Sequence, residues 1–165
     1  AVDGIIYMLA QLSGGVLGAL LTKSLLLDEG RAANYGAATV SPLLAGNFAG
    51  MVVEALGTFA LVLVILAVAM GAKAIKDWAP LAIGLTFGVI GMVFGPLTGA
   101  SVNPARWFGP ALVSGEWGGV WPYLVGPIVG ALLAVAFFKF VIVKGEADAG
   151  GPPIEPPTPA SGGKV

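Results

Sequence analysis

The sequence predicts an all-α membrane protein, a bundle of spanning helices with one short re-entrant half-helix. Hydrophobic residues make up 57% of its 165 residues and charged residues only 10%, whereas soluble domains contain about 45–50% and about 25%. Four apolar segments each reach the roughly 20 residues that a helix needs to cross a bilayer. The 26 glycines are typical of membrane helices, in which small residues allow close helix contacts.

The composition excludes several classes of function. The chain has no Cys and no His, which removes disulfides, thiolate nucleophiles, the usual zinc ligands and the usual general base at neutral pH. A net charge of −1 does not indicate a surface for nucleic acid. We therefore predict no enzyme activity, no metal and no cofactor.

A partial membrane domain is predicted over residues 1–144. Its spans are predicted at residues 5–27, 48–70, 78–97 and 120–143. Trp117, Trp121 and Tyr123 at the entry of the last span are typical of an interfacial aromatic belt. Residues 145–165 are rich in Pro and Gly and are predicted to form a flexible cytoplasmic tail, because they bury too little apolar surface to offset the entropy of ordering.

The distribution of basic residues predicts the orientation. With four spans, both termini and the loop at residues 71–77 share one side, which carries Lys73, Lys76, Lys139 and Lys144. The opposite side carries Lys23 and Arg31. The positive-inside rule then predicts a multi-pass protein of the cell membrane with a cytoplasmic C-terminus.

A short helix is predicted to begin inside the apolar region, between the third and last spans. Asn103 is a good N-cap and Pro104 a good first helical residue, and the helix is predicted over residues 104–113, too short to cross a bilayer. Arg106 costs about 2.5–3.5 kcal/mol at mid-membrane, so it is expected to face protein or a watery cavity. It either narrows a pore there or extends to the outer interface.

The polar groups around this helix start suit a pore. Asn103 is either a plain helix cap or a residue whose amide NH₂ points at the pore while its oxygen caps backbone N–H groups. The helix N-terminus carries partial positive charge, which orients a water molecule oxygen-first and discourages proton hopping. Gly99, Ala100 and Ser101 precede the cap, and irregular backbone at membrane depth is expected only where it is buried or lines a cavity. Their carbonyl groups are predicted acceptors for permeating molecules.

Glu54 is an acid within the second span and has two interpretations. It is either a proton-relay group of a carrier or a fixed acceptor for the backbone N–H groups of the re-entrant loop. The second is favoured because a relay needs further titratable partners, and no other acid lies in a span. Gln11 is predicted to play the corresponding role for another half of the bundle.

The first and last spans show an internal similarity. Residues 7–17 align with residues 123–133, and Lys23 then coincides with Lys139. The two spans cross the membrane in opposite directions, as in inverted repeats, although apolar segments also resemble one another by chance. On this interpretation residues 48–143 form one whole repeat. Residues 5–27 form the last span of the other, so that two spans and a second half-helix are expected before residue 1.

The segment Asn103-Pro104-Ala105-Arg106, within residues 97–110, resembles the second signature loop of the aquaporin and glycerol-facilitator family. Residues 53–59, 78–84 and 125–130 resemble its fourth, fifth and sixth spans. The resemblance covers residues 5–143 and is closest to archaeal and bacterial members. It implies an aquaporin-like bundle of six spans with two half-helices, a homotetramer in the lipid membrane, and one pore per subunit.

The resemblance also implies a selectivity filter formed by Arg106, Gly91, Ala100 and a second-span residue outside this sequence. Strict water channels have His at the position of Gly91, whereas glycerol facilitators have Gly. Trp107 and Ala111 depart from the facilitators, which carry Asp and a basic residue there. The expected function is a passive channel for water that excludes protons and ions, with glycerol or other small neutral solutes as further candidate substrates. The alternatives are an ion- or proton-coupled carrier using Glu54, and a structural membrane protein, for which no residue argues.

Overall fold

A computed structural model describes residues 2–70 and 74–148 of the chain. The prediction of an all-α fold is confirmed over these residues. The helices are α1 (Val2–Leu25), α2 (Asp28–Ala32), α3 (Gly46–Ala69), α4 (Ala79–Thr98), α5 (Pro104–Ser114), α6 (Val120–Phe137) and α7 (Lys144–Asp148). Two 3₁₀ turns, Asn34–Gly36 and Lys76–Trp78, precede α3 and α4, and a π-helical turn, Phe138–Val143, joins α6 to α7.

Four helical segments in the described residues are long and apolar enough to cross a membrane. They are Val2–Leu25, Gly46–Ala69, Lys76–Thr98 and Val120–Val143. Each overlaps one predicted span. The chain is thus a multi-pass membrane protein, because uninterrupted apolar helices of this length satisfy all their backbone polar groups within the bilayer.

Two segments differ in detail from the sequence expectation. The connection at residues 28–47, between the first two predicted spans, contains α2 and the turn Asn34–Gly36. At the other end, the helix continues through Asp148, because Lys144 and Ala147 are good helix formers. Residues 149–165 of the predicted tail, and Lys73 in the loop at residues 71–77, lie outside the described residues.

The helices form two packed groups, one of which contains α5. In one group α3 packs mainly on α6 and also on α4; in the other α1 packs on α5. The groups meet where α5 contacts α6. A buried cluster at that junction contains Trp107 and Ala111 of α5, Tyr123 of α6 and Ala38. The half-helix α5 is therefore held from both sides.

Gly15 of α1 and Gly109 of α5 allow these two helices to approach closely. A Cβ atom at Gly109 would collide with the backbone of Gly15, and one at Gly15 would collide with the carbonyl oxygen of Ala105. By contrast, a Cβ atom at Gly14 would meet nothing within 4 Å. The α1–α5 contact is thus a backbone-to-backbone contact that only glycine permits.

Candidate functional site

The start of α5 is capped by its own sequence. Asn103 occupies the N-cap position, with backbone angles φ −156° and ψ 122°. Its side-chain Oδ1 accepts a hydrogen bond from the Ala105 N–H at 2.8 Å. Pro104 occupies the first helical position, where a missing N–H costs nothing. Gly115 ends the helix at φ 83°. This short helix therefore needs only local residues to define its two ends.

The loop before α5 has an unusual backbone. Ala100 and Val102 have positive φ values of 44° and 43°, and Gly99 has φ 78°. Left-handed conformations are unfavourable for residues with a Cβ atom, so contacts elsewhere must hold them. The loop is also buried, since Ala100, Ser101 and Val102 are at most 6% exposed.

Glu54 of α3 holds the middle of this loop. Its Oε1 accepts from the Ser101 N–H at 3.0 Å and its Oε2 accepts from the Val102 N–H at 2.6 Å. The side chain is 1% exposed. A carboxylate that accepts two charge-assisted hydrogen bonds is well suited to fix a strained loop. Both of its oxygen atoms are engaged by backbone donors.

The loop carbonyl groups remain free. Within residues 2–70 and 74–148, no hydrogen bond reaches the carbonyl oxygens of Gly99, Ala100 or Ser101. The Ser101 hydroxyl instead donates to the Asn103 carbonyl oxygen at 2.9 Å, and the Ala100 N–H donates to Thr98 Oγ1 at 3.3 Å. The loop thus directs its N–H groups to Thr98 and to Glu54 of α3, and three of its carbonyl oxygens accept no hydrogen bond from the described residues.

Gln11 of α1 contacts the side chain of Asn103. Gln11 Oε1 accepts from Asn103 Nδ2 at 3.0 Å. Since Oδ1 of Asn103 already accepts from the helix start, the orientation of the amide is determined, and Nδ2 retains one further N–H. Gln11 therefore orients the amide in this structure, while its predicted role toward another half of the bundle stays a prediction.

Arg106 is exposed and reaches a turn that lies far away in the sequence. Its Nη1 donates to the Gly36 carbonyl oxygen at 3.1 Å. Asn34, Tyr35 and Gly36 are consecutive residues with positive φ values of 46°, 53° and 87°, which aim this carbonyl at the guanidinium. Lys23 Nζ lies 5.5 Å from the centre of the Tyr35 ring.

An open cavity of about 450 Å³ lies between α1, the turn Asn34–Gly36 and the start of α5. Gln11, Thr22, Tyr35, Asn103 and Arg106 line it together with glycines of α1. Sequence reasoning missed Thr22 and Tyr35. Thr22 follows Gln11 by eleven residues, three helical turns along the same face, and this periodicity was the available signal. Tyr35 gave no comparable signal, because its position depends on a tertiary contact.

The structure does not bring Gly91 and Ala100 into this cavity. Ala100 packs instead in a buried cluster with Ile90 and Val102. Gly91 is exposed on α4, and a Cβ atom added to it would meet nothing within 4 Å. The four-part filter implied by the resemblance thus stays a prediction at these two positions.

Trp107 and Ala111, the two positions at which the sequence departs from the glycerol facilitators, have the same structural role. Trp107 is 2% exposed and Ala111 is 0% exposed, and both belong to the cluster between α5 and α6. A charged side chain at either position would be buried without a partner, at a cost of several kcal/mol. These positions therefore serve packing in this chain.

Comparison with known proteins identifies relatives. A sequence profile described as "Major intrinsic protein" matches residues 1–138. "Probable aquaporin TIP4-2" of Oryza sativa subsp. japonica is 42% identical over 88% of this chain and 56% of its own length. "Probable aquaporin TIP3-2" of Arabidopsis thaliana is 40% identical over 86% and 52%, and "Nodulin-26" of Glycine max is 36% identical over 82% and 48%. The chain spans about half the length of the curated relatives that it matches.

Proposed function

Because the chain belongs to the major intrinsic protein family, we propose that the full-length protein is a passive membrane channel for water and small neutral solutes. One observation carries the proposal: α5, a helix of 11 residues, presents Asn103 and Arg106 to an open cavity in a multi-pass membrane protein. Nothing in this arrangement is suited to bond making or breaking. The family consists of channels rather than enzymes.

The charges at this site support the proposed exclusion of protons and other cations. The N-terminus of α5 carries roughly half a positive elementary charge, and the Arg106 guanidinium adds a whole one. Cations are repelled, and a water molecule at Asn103 turns its oxygen toward the helix, which interrupts a proton-conducting chain. The free N–H of Asn103 Nδ2 lies at this cavity and replaces a hydrogen bond that a permeating molecule leaves in bulk water. Gly99, Ala100 and Ser101 do not line the cavity, so the role of their carbonyl groups as acceptors stays a prediction.

The experiment is stopped-flow light scattering on proteoliposomes that contain the full-length protein. Under an osmotic gradient, water permeability is expected to exceed that of empty vesicles, with an additional rise for glycerol. Permeability equal to that of empty vesicles for both would refute the channel function.

Glycerol selectivity is proposed to depend on Gly91. Replacing Gly91 with His fits sterically within the described residues, because no atom lies within 4 Å of an added Cβ. We expect the ratio of glycerol to water permeability to fall about tenfold, equivalent to a difference of about 1.4 kcal/mol between the two barriers. The control is Met92→His, which places the same side chain on the adjacent, exposed position. Equal losses of both fluxes in Gly91→His would defeat the filter assignment.

The second candidate, a proton-coupled carrier, is less well supported. Glu54 is the acid that it requires, but its two oxygen atoms are bound to the Ser101 and Val102 N–H groups and the side chain is 1% exposed. Glu54 also does not line the cavity, so this carboxylate does not meet a solute there. A pH gradient that drives solute uptake against its concentration gradient would nevertheless establish the carrier.

The remaining features belong to the same proposal. We expect water, small neutral solutes and membrane lipid as the partners, and a homotetramer as the assembly, with no nucleic acid and no cofactor. We also propose the cell membrane as the location, with a cytoplasmic C-terminus. The described Lys76, Lys139 and Lys144 support this orientation, because basic residues favour the cytoplasmic side.

A further inference from the structure

Tyr123 of α6 contacts both ends of the segment that carries Asn103 and Arg106. Its hydroxyl donates to the Thr98 carbonyl oxygen at 2.7 Å, at the last residue of α4. Its ring stacks on the Trp107 indole, with centroids 5.8 Å apart and planes at 11°. The Tyr123 side chain is 0% exposed. One side chain thus joins the residue before the loop to the residue after Arg106.

Trp107 is held by its ring rather than by its polar atom. Besides Tyr123, the indole packs edge-on against Trp117, with centroids 5.7 Å apart. Its Nε1–H is buried and has no hydrogen-bond partner in the part of the chain that the structure describes. A buried donor without a partner is unfavourable, so the favourable part of this side chain is its aromatic surface.

Arg106 depends on this support. Within the described residues its guanidinium makes one hydrogen bond, to Gly36, and the side chain is exposed. A long exposed side chain with one such bond takes its position mainly from its backbone. That backbone is fixed on the preceding side by Glu54 and, on the following side, by the adjacent Trp107.

We propose that Tyr123 and Trp107 are positioning residues for Arg106, and through it set the width of the pore at the level of the guanidinium. This inference rests on the proposed channel function. Glu54 holds the middle of the loop, whereas the Tyr123–Trp107 pair holds its two ends together. Loosening the pair lets the start of α5 shift and the guanidinium move away from the opposite wall of the cavity. The pore then widens at this level, and the permeability to a larger neutral solute rises more than the permeability to water.

The test uses Tyr123→Phe in the full-length protein, which deletes the hydroxyl and keeps the stacked ring. In proteoliposomes we expect the ratio of glycerol to water permeability to rise about fivefold, the factor by which loss of one buried hydrogen bond shifts an equilibrium. The matched control is Ser24→Ala. It removes a hydroxyl that donates to the Leu21 carbonyl at 2.9 Å on an exposed part of α1, and it should leave the ratio unchanged.

A second pair of variants tests the ring. Trp107→Leu removes the stacking partner and is expected to raise the ratio, whereas Trp107→Phe keeps an aromatic ring and is expected to restore it toward the wild-type value. Trp121→Leu, at a position 69% exposed, is the control for loss of an indole. Folding of each variant is checked by gel filtration. If Tyr123→Phe does not fold, the Trp107 variants alone test whether the aromatic pair positions Arg106.

Two outcomes overturn the proposal. One is an unchanged ratio in both Tyr123→Phe and Trp107→Leu. The other is a proportional fall of water and glycerol permeability in the folded variants, which indicates loss of functional channels rather than displacement of Arg106. Wild-type vesicles that are no more permeable than empty ones would instead refute the channel function itself, so the two failures are distinguishable.

Discussion

At the scale of single residues, several polar groups of the site form hydrogen bonds to protein partners rather than to water. Glu54 is the clearest case, since both oxygen atoms of a nearly inaccessible carboxylate accept from loop N–H groups. Hydrogen bonds to a charged group contribute about 1.5–3 kcal/mol, more than those between neutral groups. Ala100 and Val102 keep their left-handed conformations because this acceptor compensates their strain.

Replacing Glu54 with Gln is therefore expected to be costly. The amide presents an NH₂ group toward one of the two backbone donors and removes the charge from the other bond. The free energy of unfolding in detergent should fall by about 2–3 kcal/mol, as measured by denaturant titration. Glu116→Gln, at an exposed position, should change it by less than about 0.5 kcal/mol. An equal stability of the two variants would show that the carboxylate does not hold the loop.

At the scale of elements, the position of α5 follows from two contacts of different kinds. Toward α6 it presents a large aromatic side chain, Trp107. Toward α1, the contact at Gly109 is made by the backbone, because Gly109 meets the backbone at Gly15. The aromatic contact holds the start of α5 against α6, whereas the glycine contact sets the distance between the axes of α1 and α5.

Replacing Gly109 with Ala is expected to push α5 away from α1. The added Cβ would overlap the backbone of Gly15, and overpacking of this kind costs about 1–3 kcal/mol. Thermal unfolding in detergent should show a clear loss of stability. Gly14→Ala is the comparison on α1, since no atom lies within 4 Å of its added Cβ. If both variants lost the same stability, the glycine contact would not determine the packing.

At the scale of the whole molecule, the arrangement of four spanning segments leads to a definite topology. The residues near Glu116 precede the last span, and those near Lys144 follow it. One span separates them, so they lie on opposite faces of the membrane, and the lysine distribution favours the cytoplasm for Lys144.

Cysteine labelling provides the measurement, because residues 1–165 contain no native Cys. In intact cells, an impermeant maleimide should label Glu116→Cys directly. It should label Lys144→Cys only after the membrane is permeabilised. The reverse pattern would invert the proposed orientation, and it would place the half-helix on the cytoplasmic side.

Local features of this protein were predictable from the sequence. Span positions follow from apolar runs of sufficient length, and the start of α5 follows from Asn103 and Pro104, whose capping bond spans two residues. The signature around Arg106 was enough to indicate the family. These features depend on neighbouring residues or on composition, so the order of residues along the chain contains them.

What only the tertiary structure decided involves partners far apart in the sequence. Arg106 binds the carbonyl of Gly36, 70 residues away, and Asn103 binds Gln11, 92 residues away. Glu54 was predicted to accept from backbone N–H groups of the re-entrant loop, but which two residues supply them, Ser101 and Val102, was not predicted. Tyr123 looked like an interfacial residue and is instead buried between Thr98 and Trp107. Hydropathy determines which segments enter the membrane, whereas helix packing determines which polar and aromatic groups then meet.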